Sequence, residues 1–371
     1  MPVFTFNVRV HFGHGERAVL ASELAGLGMN RPLFVTDRGV RAAGVFDLAT
    51  ESVSNVADEH VFDETPPNPT ERAVEAGFSR YAALGCDGVV GVGGGATLDL
   101  AKAIAVMCGD PAPLWEYCNR NPRPRPIVNP PPVVLMPTTA GSGSEVGRSA
   151  VIIFDNGIKA GVGCPTIVRA AICDPELTLT LPPAMTAATG MDALSHCVET
   201  YCSPSFNPPL DAIALDGLRR LHAHIERATR DGTDREARWS MMMGALEGAL
   251  CFGKGLGAVH SISHALGALG HHHGTLNALM LPAVLEFNAP VIGGRLDGLC
   301  DAMGLRRGSD LPAAFADLNR RLGLPRGLRA LGVSPEQFEG IARAALADNA
   351  HKTNPRAVSH EEYLTLLHAA W

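Results

Sequence analysis

A glycine-rich segment, Gly91-Val92-Gly93-Gly94-Gly95, constrains the fold of this chain most strongly. An apolar run at 87–92 precedes it and predicts a buried strand, while 96–107 has helical periodicity. Glycines between a strand and a helix let the backbone approach a phosphate closely and adopt positive φ, and the helix N-terminus presents free N–H groups to the anion. The sequence therefore predicts a phosphate-binding loop, with a glycine-rich turn that binds nothing as the alternative. No GK[ST] follows, so the segment is not a P-loop.

The same alternation of strands and helices extends through the first half of the chain. Strands are predicted at 31–37, 87–92 and 132–137, helices at 69–84 and 96–107, and a proline- and arginine-rich loop at 119–132. This pattern is typical of a parallel, doubly wound α/β sheet.

The second half has a different character, which begins at Pro182 and Pro183. Helical periodicity then dominates, at 184–201, 209–230, 235–252, 258–269, 278–288, 310–322, 335–347 and 360–370. We therefore predict an α/β domain over residues 1–181 and an all-α domain over residues 182–371.

Composition excludes several classes of protein. The 371 residues are 46% hydrophobic and 19% charged with a net charge of -7, and no basic stripe with interleaved aromatics points to nucleic acid. The nine cysteines are scattered without a CxxC pair, which is typical of a reducing compartment. Neither a signal peptide nor an apolar run of membrane-spanning length is apparent. We expect a soluble, cytoplasmic protein with no nucleic-acid or membrane partner.

Three histidine-bearing segments in the second half predict a metal site. Asp192 and His196 are four residues apart, as are His260 and His264, so each pair shares one helix face. A third cluster is 271–273, three consecutive histidines before a glycine. One carboxylate with neutral imidazoles suits Fe(II) or Zn(II), and such an ion can act as a Lewis acid towards an alcohol oxygen. The alternatives are a salt bridge between Asp192 and His196, and a solvated loop or a surface metal scavenger at 271–273.

Two further polar segments are candidates for binding a dinucleotide. Asp37 ends the strand predicted at 31–37, where a carboxylate can accept hydrogen bonds from a ribose 2′-OH and repel a 2′-phosphate, which favours NAD over NADP. The loop at 138–145 follows the strand at 132–137 and carries four hydroxyls. An ordinary turn aspartate and a flexible loop are the alternatives. A metal together with a nicotinamide dinucleotide points to hydride transfer to or from an alcohol.

Taken in order, these segments resemble the iron-containing (group III) alcohol dehydrogenases from end to end. The matching stretches are 67–70 (PNPT), 93–95 with Asp99 and Lys102, 137–146 (PTTAGSGSEV), 190–196 (GMDALSH), 255–260 (GLGAVH), 273–274 leading to Asn277 and Ala278, and 353–356 (TNPR).

The resemblance implies a Rossmann-like N-terminal domain, a helical C-terminal domain and a cleft between them, in a homodimer or higher homo-oligomer. It implies that the metal binds Asp192, His196, His260 and His273, and that His264 is a catalytic proton relay near the nicotinamide. It implies that the pyrophosphate of NAD contacts Gly94, Gly95 and Asp99. The rest of the dinucleotide is implied to contact Asp37, Asn68, Thr138, Thr139, Ser142 and Lys159.

Two departures from the family pattern leave alternatives open. A histidine, His272, stands where the family usually has proline, and the spacing from His264 to the last ligand is one residue shorter, so His272 and His273 both remain candidates. Cys251 stands where some relatives carry an aromatic residue that faces the substrate, which favours either a roomier pocket near Ser149 or a buried core cysteine.

The sequence thus predicts a metal-dependent NAD(H) oxidoreductase that interconverts an alcohol and an aldehyde or ketone. One alternative is an oxo-acid reductase resembling maleylacetate reductase, in which Arg148 or Lys254 meets a substrate carboxylate. Others are an NAD- and metal-dependent lyase of the dehydroquinate synthase type and a non-catalytic protein that binds nucleotide or metal.

Overall fold

The structure, a computed structural model, describes residues 8–371, which form two compact units. The α/β unit contains the described residues up to Thr139 together with Gly143–Leu181, and the helical unit contains Ala140–Ser142 and Pro182–Trp371. The division into independently folding domains at residue 181 stays a prediction.

The α/β unit is built from alternating strands and helices. Its elements are β1 (Arg9–Phe12), α1 (Leu20–Gly26), β2 (Pro32–Val35), α2 (Arg38–Ala42), α3 (Val45–Thr50), β3 (Val61–Phe62), α4 (Glu71–Leu84), β4 (Gly88–Gly93), α5 (Gly95–Gly109), β5 (Val133–Pro137), β6 (Ser149–Ile153), β7 (Lys159–Gly163) and β8 (Val168–Cys173). Six strands form a parallel sheet in the order β1-β8-β5-β4-β2-β3, while β6 and β7 form a separate antiparallel pair. The predicted parallel α/β sheet is confirmed.

The parallel sheet is covered on both faces, which explains the continuous apolar runs of its central strands. Val89 and Leu135 pack into a core with α5, whereas their neighbours Val90 and Val134 pack into a second core on the opposite face with α1 and α3. Successive residues of a strand point to opposite faces, so strands buried on both sides lack polar alternation. The side chain of Thr70 caps α4, which begins within the predicted range.

The helical unit contains nine helices and no strand within the residues described from 182 onward. They are α6 (Pro183–Cys202), α7 (Pro208–Arg230), α8 (Arg235–Leu250), α9 (Ala258–Gly267), α10 (His273–Ile292), α11 (Arg295–Ala302), α12 (Leu311–Arg321), α13 (Phe338–Leu346) and α14 (His360–Ala369). Helix α6 packs against α7, α8 and α10, and α9 packs against α10 and α13. The predicted all-α character is confirmed, although α10 begins at His273 rather than at 278.

Helix α10 is the one helix among the described residues that is long and apolar enough to span a membrane. Half of its most apolar window is buried within the protein. Buried core helices of soluble proteins have the same length and composition, so this property alone assigns no location to the chain.

Candidate functional site

One face of α6 carries three ionisable side chains that the fold buries. Asp192, His196 and Glu199 lie at positions i, i+4 and i+7, so they succeed each other along the same face of the helix. Burying such groups is costly unless each one has a partner. Their partners come from α9 and α10, which carry the other predicted ligands.

The three predicted histidine ligands converge on one oxygen of the fourth predicted ligand, Asp192. Oδ1 of Asp192 lies 3.5 Å from Nε2 of His196 and 3.8 Å from Nε2 of His260. It lies 3.6 Å from Nε2 of His273, and the ligand atoms of Asp192, His260 and His273 are all within 4.8 Å of one another. Two donor atoms bound tetrahedrally at about 2.1 Å from an ion lie about 3.4 Å apart. Asp192, His260 and His273 therefore fit a divalent transition metal, and His196 lies at ligand spacing from Asp192.

The structure brings His273, and not His272, into this donor set. His272 is exposed and caps α10, with its Nδ1 accepting a hydrogen bond from the backbone N–H of Thr275. His273 starts α10 beside α6 because Gly274 permits a close approach there: a Cβ at 274 would lie 2.4 Å from the carbonyl oxygen of Ala188. At the start of α10, His273 therefore lies against Asp192, whereas His272 caps the helix.

The protonation states in this cluster suit ligation for His196. Burial lowers the pKa of His196 to about 4, so its imidazole is neutral near pH 7, as a metal ligand must be. For His260, burial acts to lower the pKa, but the charge and hydrogen bond of Glu199, together with the charges of Asp192 and Asp348, outweigh burial and raise it.

Glu199 is a site residue that the sequence analysis did not predict. Its Oε2 lies 2.5 Å from Nδ1 of His260, and its Oε1 accepts a hydrogen bond from the backbone N–H of Val259 at 2.8 Å. The spacing of seven residues from Asp192 was a usable signal, because it repeats the helix face that already carries His196.

Asn277 is a second unpredicted residue at the centre of the cluster. Its Nδ2 donates to Oδ1 of Asp192 at 2.6 Å and lies 3.1 Å from Nε2 of His260. The same nitrogen lies 3.2 Å from Nε2 of His273. Asn277 had appeared only in a stretch that matched the family, one helical turn after His273, which was the signal available.

His264 lies beside the donor set without joining it. Its ring stacks on His273 with centroids 5.5 Å apart, and its Nδ1 lies 3.1 Å from Oδ2 of Asp348. Asp348, which the sequence analysis did not single out, in turn accepts a hydrogen bond from the backbone N–H of Ala350. The side chain of His264 is 19% exposed, so a proton on this ring has a route to solvent.

In the α/β unit, the glycine-rich segment leads from β4 into α5 as predicted. Gly94 is the N-cap residue of α5 and Gly95 its first residue. The expectation that these glycines adopt positive φ was wrong: none of the residues at 91–95 does so, and Gly94 is extended with φ -76° and ψ -178°. The backbone N–H groups at the start of α5 are nonetheless available to an anion.

Asp37 follows β2 and lies close to this segment. One carboxylate oxygen accepts a hydrogen bond from the backbone N–H of Val40 and caps α2, and the other lies 3.4 Å from Oγ1 of Thr97 near the start of α5. Thr139 is also adjacent to the segment, since a Cβ at Gly94 would lie 3.3 Å from its Cγ2.

The remaining predicted cofactor residues fall into separate places. Nζ of Lys159 donates to Oδ1 of Asn68 at 2.9 Å, so these two predicted residues are together. Thr138 belongs to the α/β unit with Thr139, whereas Ser142 belongs to the helical unit.

Asp99 is engaged within the α/β unit. Its Oδ1 accepts from Oγ of Ser144 at 2.5 Å and lies 3.0 Å from Nζ of Lys102. Its Oδ2 accepts from the backbone N–H of Val151 at 3.0 Å. These contacts favour a role in holding the loop before β6, and direct contact with a pyrophosphate stays a prediction.

The residues considered for substrate recognition are mostly occupied elsewhere. Cys251 is fully buried in a core cluster with Leu210 and Ala214, so the interpretation as a core cysteine holds and the one as a pocket residue was wrong. Lys254 is buried with its Nζ paired to Asp211, so the suggestion that it meets a substrate carboxylate was wrong too. Arg148 is exposed, and Ser149 begins β6.

Comparisons with known proteins cover the whole chain. The family profile described as "Iron-containing alcohol dehydrogenase" matches residues 7–175, and "Fe-containing alcohol dehydrogenase family, C-terminal" matches residues 186–371. A 4-hydroxybutyrate dehydrogenase from Cupriavidus necator is 47% identical, with 99% of both chains covered. A choline dehydrogenase from Bacillus subtilis is 35% identical, with 97% of this chain and 93% of that protein covered.

Solved structures have the same fold along the full length. A 1,3-propanediol oxidoreductase is 31% identical, with a TM-score of 0.91 and all of both chains covered. A sulfoacetaldehyde reductase from Bifidobacterium kashiwanohense, solved in complex with NAD+, is 26% identical, with a TM-score of 0.88 and 100% and 98% of the two chains covered.

Proposed function

The chain belongs to the iron-containing alcohol dehydrogenase family and is an alcohol oxidoreductase, and from this premise we propose that it requires a divalent metal ion and NAD(H). In this proposal it interconverts an alcohol and an aldehyde or ketone by hydride transfer. The observation that carries the proposal is the convergence of three histidine Nε2 atoms on Oδ1 of Asp192. Fe(II) is the proposed ion, with Zn(II) as the alternative, since both accept this donor set.

Each residue of the cluster has a part in this proposal. Asp192, His196, His260 and His273 hold the ion, which when bound supplies a Lewis acid for the alcohol or carbonyl oxygen. His264 exchanges a proton at Nε2, because its Nδ1 is engaged by Asp348.

NAD(H) is proposed as the hydride carrier because the α/β unit offers matching groups. The start of α5 at Gly94 and Gly95 suits a pyrophosphate, and the carboxylate of Asp37 nearby disfavours a 2′-phosphate. Thr138, Thr139, Ser142 and the Asn68–Lys159 pair are proposed to contact the rest of the dinucleotide. The sulfoacetaldehyde reductase that shares this fold was solved with NAD+, which supports the same cofactor here.

A hydroxy acid is the more specific candidate substrate. The relative at 47% identity is a 4-hydroxybutyrate dehydrogenase, whose named substrate carries a carboxylate. Among the two basic residues considered for binding a carboxylate, exposed Arg148 remains available, whereas Lys254 is paired with Asp211. We further infer a cytoplasmic homo-oligomer acting on a small-molecule alcohol or aldehyde.

Paired substitutions test the assigned roles. We expect His260→Ala to lose bound metal and activity together, and His264→Ala to retain metal while turnover slows by roughly 10²–10⁴-fold, the usual contribution of a general acid–base. Metal content of protein purified without oxygen and the rate of NADH formation with candidate alcohols and hydroxy acids are the measurements. Full activity in metal-free protein would refute the proposal, and turnover without net NADH accumulation would favour the lyase.

A further inference from the structure

Glu199 on α6 is a buried carboxylate that holds α9 at two points. Its side chain is 4% exposed, Oε2 lies 2.5 Å from Nδ1 of His260, and Oε1 accepts a hydrogen bond from the backbone N–H of Val259 at 2.8 Å. A single group therefore fixes both the ring of a proposed ligand and the start of the helix that carries it.

The first turn of α9 is shaped to meet this carboxylate. Oδ1 of Asn354 accepts from the backbone N–H of Ala258 at 3.1 Å, beside the bond that Glu199 makes to Val259. A Cβ at Gly257 would lie 2.7 Å from Oε1 of Glu199 and 2.8 Å from Oδ1 of Asn354. A side chain at 257 would therefore displace one or both of these oxygens from the start of α9.

The contact with Nδ1 determines which ring nitrogen of His260 is free to ligate. When Glu199 accepts the Nδ1 proton, the lone pair is on Nε2, which is the nitrogen 3.8 Å from Oδ1 of Asp192. Carboxylates that engage the second nitrogen of a ligating histidine orient the ring and increase its basicity.

The negative charge of Glu199 would also stabilise a divalent ion bound at the proposed metal site. Asp192 supplies one negative charge and neutral imidazoles supply none, so a divalent ion on this set leaves one uncompensated positive charge in a buried place. An unbalanced buried charge is strongly unfavourable. The carboxylate of Glu199, one ring away, balances it.

We propose that Glu199 is a positioning residue that sets the affinity of the Asp192–His196–His260–His273 site for divalent metal ions. This role rests on the proposed metal site but on no step of hydride transfer. It acts through His260 and through the charge balance, and Glu199 itself is not a ligand.

The test is a metal-affinity measurement on Glu199→Gln, which keeps the side-chain volume but removes the charge. The amide NH₂ of glutamine would also face either Nδ1–H of His260 or the backbone N–H of Val259, so one of these two donors would lose its acceptor. We expect the affinity for Zn²⁺, measured by competition with a chromophoric chelator, to fall 10–100-fold. The visible spectrum of the Co²⁺-loaded protein should change as well. Circular dichroism at the assay temperature establishes that the variants are folded.

Asp348→Asn is the matched control, because it makes the same change at a carboxylate that contacts His264, a histidine outside the donor set. We expect Asp348→Asn to lose much less Zn²⁺ affinity than Glu199→Gln, because Asp348 contacts none of the four proposed ligands. Gly257→Ala approaches Glu199 from the other side, and we expect it to weaken Zn²⁺ binding without altering any charge.

The outcomes separate this role from the proposed function. Wild-type Zn²⁺ affinity in Glu199→Gln overturns the role of Glu199 in metal affinity. It does so even if the unfolding temperature of the metal-free variant falls, since that pattern indicates a purely structural carboxylate. An equal loss of affinity in Asp348→Asn overturns it too. Absence of any divalent-ion binding by the wild-type protein overturns the proposed function itself, and this role with it.

Discussion

The contact at Gly274 links the packing of two helices to metal binding, and Gly274→Ala tests that link. The added Cβ would lie 2.4 Å from the carbonyl oxygen of Ala188 and 2.9 Å from its carbonyl carbon. Both are backbone atoms of α6, so no flexible side chain can move aside. An ordinary van der Waals contact begins at 3.4 Å, so α10 must move away from α6 by about 1 Å.

The size of the effect follows from this displacement. Overpacking typically costs about 1–3 kcal/mol, and we expect the upper end because the clash is with backbone. With an unfolding entropy of about 2.1 cal/mol/K per residue over 371 residues, each kcal/mol shifts the unfolding temperature by about 1–2 °C, so that of the metal-free protein should fall by roughly 3–6 °C. The same movement separates His273 from Asp192, so we also expect Zn²⁺ affinity to fall by about tenfold or more.

Thermal unfolding in excess chelator and Zn²⁺ competition titrations measure the two effects separately. Gly340→Ala is the control, because Gly340 lies exposed within α13 and its added Cβ would meet nothing within 4 Å. That substitution should stabilise the protein by about 0.5–1 kcal/mol, the usual gain for alanine over glycine within a helix. Wild-type Zn²⁺ affinity in a destabilised Gly274→Ala protein would refute the link between this contact and the ligand His273.

Two other substitutions have outcomes set by single contacts. Asp37→Ser keeps a side chain that can cap α2 at Val40 but removes the carboxylate. We therefore expect the ratio of kcat/KM for NADPH over NADH to rise by roughly tenfold, with an unchanged unfolding temperature. An unchanged ratio would exclude Asp37 from the ribose site. Burial, with the nearby charge of Asp216, raises the pKa of Glu247 to about 8, so its stabilising protonated form is complete below pH 4 and is lost as the pH rises towards 8. Glutamine does not ionise, so the free energy of unfolding of Glu247→Gln, measured in urea with chelator present, should rise by about 1–3 kcal/mol relative to that of the wild type as the pH goes from 5 to 8. If the two proteins differ in free energy of unfolding by the same amount at pH 5 and at pH 8, the raised pKa is contradicted.

The sequence was sufficient for the parts of the fold that are locally encoded. Buried apolar runs predicted β2, β4 and β5, and helical periodicity with Thr70 as a cap predicted α4. The pair β6 and β7 was missed because it is short and β7 is rich in glycine, and its pairing depends on a partner rather than on a pattern. The start of α10 was missed because three histidines and a glycine resemble a loop until His272 caps the helix.

The residues of the candidate site also fall into those that local sequence patterns predict and those that only tertiary contacts bring together. Asp192, His196, His260 and His264 were candidates from four-residue spacings, which are local properties of helices, and the family resemblance separated His264 from the ligands. Asp348 did not, because it meets His264 across 84 positions of sequence and no periodicity relates the two.

The family resemblance named His273 and left His272 open, and the structure adds where each imidazole lies. Side chains of adjacent residues point in different directions at the start of a helix, and the sequence alone does not show which of the two points towards Asp192. The position of α10 beside α6 settles which of the two imidazoles points towards Asp192.

The order of the donors along the chain has a consequence for protein synthesis. Asp192 and His196 are made first, together with Glu199 on α6, while His260 follows on α9 and His273 comes last with the glycine that seats it against α6. A nascent chain that has not yet folded α10 presents an incomplete set of donors, because His273 is the first residue of that helix. On the proposed metal site, the full donor set exists only once His273 has been made, when 98 of the 371 residues are still to follow, so the ion binds after most of the helical unit has been synthesised.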